Sequence, residues 1–404
     1  MKIRRLLAVV ITITLTLVML TGCTTFENFY AAFIDDNATK NVNITIGVYE
    51  PVTGSESKQA VSEIRGIQLA HEVYPNINGK IVNVVYGDNA SDVYASETAI
   101  KNLFSYNPDV ILGSYGSVYS LVAGQYVKDN KTPAIAITNL NPLVTKNNDY
   151  YYRVCYVDSN QGDILARYIL QSEGIETAGV LTPDDNDAAL AMTSAFTSRI
   201  EAETGNDDAI TAYQHYKSGD KDFSEQLKAI RTSGVKYVLL PGDKNDAVNI
   251  IKQANKMNLN AVFLGGTEWS TDEFKKMIGD DASPENIAYV SFLNPDAVAT
   301  EVEATDEMRK FLDAYHAKYG QDAIPDNNVA LGYDAYLIAI NAVSEAGQDP
   351  TGEDIKKVLD GRQTFQGISG DINFNHVGDP IKTAYISTLK DNVETLVYTV
   401  EPAL

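Results

Sequence analysis

The run Gly113-Ser114-Tyr115-Gly116-Ser117 ends on a hydroxyl at the point where a helical pattern starts. A helix start carries unpaired backbone N–H groups and the positive end of the helix dipole, and a hydroxyl there adds one more donor. The chemistry this predicts at Ser117 is capture of a carboxylate. The plainer alternative is a helix cap, and the two roles are compatible. A second concentration of polar groups, Asp184-Asp185-Asn186-Asp187, reads either as part of a polar ligand pocket or as a solvated loop and N-cap. A calcium loop would use such spacing, but the glycine it needs at the sixth position and the glutamate at the twelfth are missing. Trp269, the single tryptophan, stands beside the Gly265-Gly266 turn and reads either as a wall against a ligand or as packing. No reaction is written in the chain: G-x-S-x-G, H-E-x-x-H and Walker A motifs are absent. The histidines (His71, His215, His316, His376) are far apart, and two cysteines leave no zinc-ligand spacing. A binding protein without catalytic residues, metal or cofactor is expected.

To present Ser117, the chain has to build strand–turn–helix units, and its composition allows this. It has 404 residues, 44% hydrophobic and 21% charged, the balance of a folded chain with a sizeable core. Against 32 Lys and Arg stand 54 Asp and Glu, a net charge of −22 that disfavours nucleic acid as a partner. Short β-rich runs at Ile44–Tyr49, Ile81–Tyr86, Val110–Leu112 and Ala134–Ile137 alternate with amphipathic segments, including Asp92–Phe104, with Ser91 as its expected N-cap, and Val118–Asp129. The cycle repeats at Ala178–Leu181, Ile210–Tyr213, Val235–Leu240 and Ala261–Leu264, with helical stretches Ala188–Glu203, Phe223–Thr232 and Ala247–Met257. Such alternation predicts an α/β fold with two Rossmann-like lobes and parallel sheets, joined by several crossing strands. Asp149–Gln161 is expected to be the first crossing. Helical patterns at 303–318 and 329–345 are expected to return to the first lobe. The expected division is 43–155 with about 291–365 as the N-terminal lobe, and about 156–290 with 366–404 as the C-terminal lobe and hinge strands. Ligands of open parallel sheets bind beyond the carboxyl ends of the strands, so both sets of loops would face one cleft.

The first residues differ from the rest. Lys2, Arg4 and Arg5 precede an uncharged run from Leu6 to Leu20, the pattern of an export signal and short for a bilayer span. Leu20-Thr21-Gly22-Cys23 resembles the lipobox of bacterial lipoproteins, with Thr21 a slight departure. The resemblance implies a signal peptide over 1–22, a lipid-modified Cys23 and an extracytoplasmic protein held at the outer face of the membrane. Polar residues 23–42 would then be a tether. Cys155, left without a partner, is expected to be a buried small apolar residue.

Over about residues 43–390 the chain resembles the type I periplasmic binding proteins of the branched-chain amino-acid kind, which serve ABC transporters. The resemblance is carried by Ile46-Gly47-Val48-Tyr49-Glu50-Pro51-Val52-Thr53-Gly54 with Gly66 and Ala70, and by Leu112 to Ser117. Tyr152-Arg153 with Gln161-Gly162, Gly265 to Trp269, Gly332 to Ala335, and Phe365 to Phe374 with Gly378-Asp379 follow in the family's order. It implies a small-molecule ligand, an ABC permease as partner, a monomer, and membrane attachment through Cys23. A lipoprotein sensor working with a membrane receptor is the alternative use of the same site. By resemblance, Ser117 holds the ligand carboxylate, Thr138 and Leu140 lie in the neighbouring loop, and Glu268 is the acid for an ammonium. Asp187, Asp243 and Gln59 fall where the branched-chain binders commonly place aromatics, which implies a more polar ligand such as a polar amino acid, an amide or a small acid.

Overall fold

The computed structural model describes residues 42–301, 304–361 and 364–402. The expected signal peptide, Cys23 and the tether as far as Asn41 lie outside the described residues. The first sheet contains β1 (Val42–Glu50), β2 (Asn76–Ile77), β3 (Lys80–Asp88), β4 (Val110–Gly113), β5 (Ala134–Ala136) and β6 (Tyr151–Arg153). Its order is β2-β3-β1-β4-β5-β6, parallel throughout except for β2. The second sheet begins with β7 (Ala178–Pro183), β8 (Ile210–Tyr216), β9 (Tyr237–Leu239), β10 (Val262–Gly265) and β11 (Ile287–Ser291). A small antiparallel sheet follows, β12 (Phe365–Gly367), β13 (Gly370–Phe374) and β14 (Pro380–Ile381). Finally β15 (Ala384–Lys390) and β16 (Val393–Val400) join the second sheet antiparallel, giving β16-β15-β11-β10-β9-β7-β8.

The parallel strands are short and apolar because both of their faces are covered: every residue of β4, β7 and β10 is buried. The covering helices of the first half are α1 (Ser57–Val73), α2 (Val93–Phe104), α3 (Ser117–Asp129), α4 (Asp158–Glu173), α5 (Asp187–Thr204), α6 (Ser224–Ser233) and α7 (Lys244–Lys256). Then come α8 (Asp272–Ile278), α9 (Pro295–Thr300), α10 (Asp306–Tyr319), α11 (Asn327–Glu345) and α12 (Gly352–Asp360). The expected two-lobed α/β architecture is present. Three segments pass between the lobes: one from β6 to α4, one from β11 to α10, and one from β14 to β15.

Helix α11 lies along α1 and is buried over most of its length. Glycine makes the approach possible. A Cβ on Gly66 would overlap the Val329 carbonyl, and one on Gly332 would overlap the Glu63 carbonyl. Two sequence expectations need correction. The N-cap of α2 is Asp92, whose carboxylate accepts from Tyr94 and Ala95 N–H groups at 2.9 and 2.7 Å. Ser91 instead ties the 53–56 turn, accepting from Glu56 N–H at 3.0 Å and donating to the Thr53 carbonyl. Within the expected first crossing, Tyr151–Arg153 is the sixth strand of the first sheet, because its alternate side chains Tyr151 and Arg153 and its neighbour Tyr152 are all buried. Residues 365–381 pack on the first lobe through Tyr152 and Asp334, with the Tyr152 and Phe374 rings 5.1 Å apart.

Candidate ligand-binding cleft

On the first lobe, three strand ends meet: Glu50 at the end of β1, the 113–117 turn after β4, and the 137–141 loop after β5. Ser117 is the first residue of α3 and half-buried. Its hydroxyl oxygen accepts two long bonds, from Asn139 Nδ2 at 3.5 Å and Asn141 N–H at 3.4 Å. With its acceptor positions occupied, its own O–H is left to donate. Thr138 is set in the opposite sense: its hydroxyl donates to Glu63 Oε1, so only lone pairs remain for a ligand. Leu140, half-buried, packs against the main core. Burial pushes the Tyr115 phenol up to about 12, and the charges of Glu268, Glu63, Glu56 and Glu50 add to the shift.

Buried groups hold these loops. Arg153 is 0% exposed and donates to the carbonyls of Asn139 at 2.6 Å and Asn141 at 3.0 Å and to Thr145 Oγ1 at 2.8 Å. Its Nε lies 2.6 Å from the Asp379 carboxylate. Cys155 is buried, its thiol pushed up to about 12 by burial and donating to the Asn139 carbonyl at 3.2 Å. Across the cleft, Gln161 Oε1 accepts from Thr267 N–H at 2.8 Å and anchors the loop that carries Glu268.

The second-lobe residues are less uniform. Glu268 is exposed, with Lys244 Nζ 3.5 Å away and shared with Glu273 at 2.7 Å. Trp269 does not form a cleft wall: it is 1% exposed, stacked on Phe274 at 5.0 Å, with its ring seated where Gly265 has no side chain. Asp243 is an N-cap, accepting from Asn245 N–H at 2.7 Å, and Asp187 is an exposed first residue of α5. The acidic run around Asp187 is a capped loop: Asn186 accepts from Ala189 N–H at 3.0 Å, Asp184 pairs with His215 at 2.6 Å, and Asp185 binds Ser218. Gln59 is exposed on α1. The structure therefore brings Ser117, Thr138 and Leu140 together on one wall, sets Glu268 in the opposite loop, and turns Trp269 away. Sequence reasoning missed four groups: Tyr115, Glu50 and Glu63 on the first lobe, and Asp158 at the start of α4. Burial pushes the Asp158 carboxyl up to about 6, with Glu268 adding to the shift. Glu50 lies in the Ile46–Gly54 motif and Tyr115 in the Leu112–Ser117 motif, but their spacing assigns neither a role.

A cavity of about 740 Å³ opens between Ser270–Gly279, the second crossing and the start of α11, outside the residues singled out from the sequence. Among the described residues no helix is long and apolar enough to cross a membrane, and no group of three or more His, Cys, Asp or Glu is disposed to hold a metal.

Comparison with known proteins agrees with the fold. A family model described as periplasmic binding protein matches residues 43–393. The Leu/Ile/Val-binding protein homolog 2 of Brucella abortus (strain 2308) is 23% identical over 359 residues, 88% of this chain and 92% of that one. The leucine-binding protein LivK of Thermotoga maritima has a TM-score of 0.72 at 26% identity, covering 89% of this chain and 99% of that one. LivJ from Streptococcus pneumoniae, solved with isoleucine, has a TM-score of 0.69 at 27% identity, covering 88% and 99%. The chain thus belongs to the type I periplasmic binding proteins, in their branched-chain amino-acid-binding family, the extracytoplasmic solute-binding components of ABC transporters.

Proposed function

We propose that the protein is a lipid-anchored solute receptor that captures an amino acid between its lobes and delivers it to an ABC permease. The supporting observation is the opposed setting of two neighbouring hydroxyls. Ser117 has a proton to give a carboxylate, whereas Thr138 has only lone pairs to give an amine. A ligand with both ends satisfies both groups, while a simple carboxylic acid leaves Thr138 and Glu268 facing no donor. Glu268 is the acid for the amine from the second lobe, in exchange for its weak contact with Lys244. By the resemblance, Asp187, Asp243 and Gln59 fall where branched-chain binders commonly place aromatics, which would favour a polar side chain on the ligand over Leu or Val. Lipid on Cys23 would hold the receptor beside its permease.

A thermal-shift screen against amino acids, amides and small acids tests this reading. A ligand at 100 times its dissociation constant adds about 2.7 kcal/mol of stability. Stabilisation by small acids but by no amino acid would overturn the amino-acid assignment. Stabilisation by amino acids without uptake by the adjacent permease would favour the sensor role.

A further inference from the structure

Two carboxyls lie side by side beneath the first-lobe wall without a counter-charge. Glu50, the last residue of β1, and Glu63, in α1, are both 0% exposed, and among the described residues neither enters an ion pair. One oxygen of each is committed to the wall: Glu50 Oε2 accepts from Tyr115 N–H at 2.7 Å, and Glu63 Oε1 accepts from the Thr138 hydroxyl. The remaining oxygens, Glu50 Oε1 and Glu63 Oε2, are buried without a donor from the rest of the described residues, and the two carboxyls interact with each other side chain to side chain. Glu50 Oε1 also sits against Gly113, where a side chain would collide with it.

The surrounding groups do not neutralise the pair. Asp326 faces Glu63 from the start of α11, and the Tyr49, Tyr151 and Tyr115 phenols face Glu50 from β1, β6 and the 113–117 turn. The Cys155 thiol faces Glu63 from the first crossing. Arg153 and Lys382, which face Cys155, are committed elsewhere, Arg153 to Asp379 and Lys382 to Ser369 beside Asp334. Two bare carboxylates in such a place repel, whereas one proton between them makes a strong charge-assisted O–H···O bond.

We propose that Glu50 and Glu63 share a single proton, and that this shared proton makes them the positioning residues of the ligand wall, holding the Tyr115 amide and orienting the Thr138 hydroxyl. It joins β1, α1, the 113–117 turn and the 137–141 loop in one network. Because Glu63 takes the Thr138 proton, Thr138 meets the cleft as an acceptor. Burial holds the last proton on the pair, with Glu63 pushed up to about 8 and Glu50 also well above the ordinary carboxylate range. Both carboxyls ionise near 4.5 when exposed, so folding takes up a proton between those limits. The pair's contribution to stability is fully present below about 4.5 and is lost as pH rises towards about 8. The consequence for ligand rests on the amino-acid reading above, whereas the proton itself does not.

The test uses the whole folded protein labelled at its Glu carboxyl carbons, titrated by NMR from pH 5 to 10, with Glu50→Gln and Glu63→Gln to assign the two resonances. The expected result is a coupled pair titrating above the ordinary carboxylate range, tracked by the Tyr115 amide shift. In Glu63→Gln the amide N–H₂ replaces the shared proton, and the alkaline shift of Tyr115 disappears. Titration of both wild-type carboxyls below pH 5.5, or persistence of the Tyr115 shift in both variants, would overturn the proposal.

Binding of the twenty amino acids at pH 7 reads the consequence. The Glu50→Gln/Glu63→Gln double variant should lose at least tenfold, because one amide must turn its N–H₂ towards Thr138 and flip that hydroxyl into a donor. Wild-type affinity in the double variant would refute the positioning role. If no amino acid binds wild type but the titrations are as expected, the amino-acid reading fails and the shared proton stands.

Discussion

Replacing Arg153 by Met asks whether the ligand wall depends on a buried cation behind it. The guanidinium is fully buried and supplies donors to the Asn139 and Asn141 carbonyls and to Thr145, and it faces the Asp379 carboxylate, which is 13% exposed at its side chain. Met fills similar volume but leaves two carbonyls without their donor and one carboxylate without its counter-charge. Breaking one side of a buried pair costs about 3–5 kcal/mol, and the stranded carbonyls are part of that figure. For a chain of this size, at roughly 2 °C per kcal/mol, the melting temperature should fall by about 6–10 °C. The Arg153→Met/Asp379→Leu double variant should recover part of the loss, because no uncompensated charge remains. Thermal unfolding of wild type, both single variants and the double variant at pH 7 completes the cycle. A loss under about 1 kcal/mol for Arg153→Met, or a double variant worse than the sum of the singles, would show that the pair is not what holds the 137–145 loop. Ligand affinity should also fall in Arg153→Met, because Thr138 rides on that loop.

The other expectations are briefer. Ser117→Ala should weaken amino acids and their deaminated analogues alike by about tenfold, while Glu268→Gln should weaken only amine-bearing ligands, by about a hundredfold, as calorimetry would read. Unchanged binding by Glu268→Gln would move the amine to Asp158, with Asp243 and Asp187 next. Gly66→Ala should destabilise by about 1–3 kcal/mol, because its methyl group has to push α11 off α1, and a denaturation midpoint equal to wild type would contradict that packing. Cys23→Ala should release a soluble protein with unchanged ligand affinity into the medium, and tight retention in membranes would argue against the lipid anchor. Ligand should compact the molecule in small-angle scattering, and an unchanged radius of gyration at saturation would argue against lobe closure.

What was legible in the sequence was whatever depends on local periodicity and on chemistry tied to one turn. The strand–helix alternation named the α/β fold because buried parallel strands read as short apolar runs, and β1, β4, β7 and β10 lie where those runs are. The helix start at Ser117 was legible because a Gly/Ser turn before a helix is a local signal. Element ends were less so: Ser91 and Asp92 both have side chains that can cap, and backbone geometry chose Asp92. Tertiary structure alone decided which side chains face the cleft. Trp269 follows a turn with a pocket beneath it, and the indole found the larger apolar burial by folding onto Gly265 and Phe274. Glu50 and Glu63, 13 positions apart in chain order, look like ordinary surface acids in the sequence. Only the packing of α11 over α1, and of the 113–117 turn over β1, removes water from both and sets the two carboxyls against each other. A one-dimensional pattern records hydrophobicity and turn chemistry, but the desolvation that changes what a carboxyl can do comes from contacts between segments far apart in the chain.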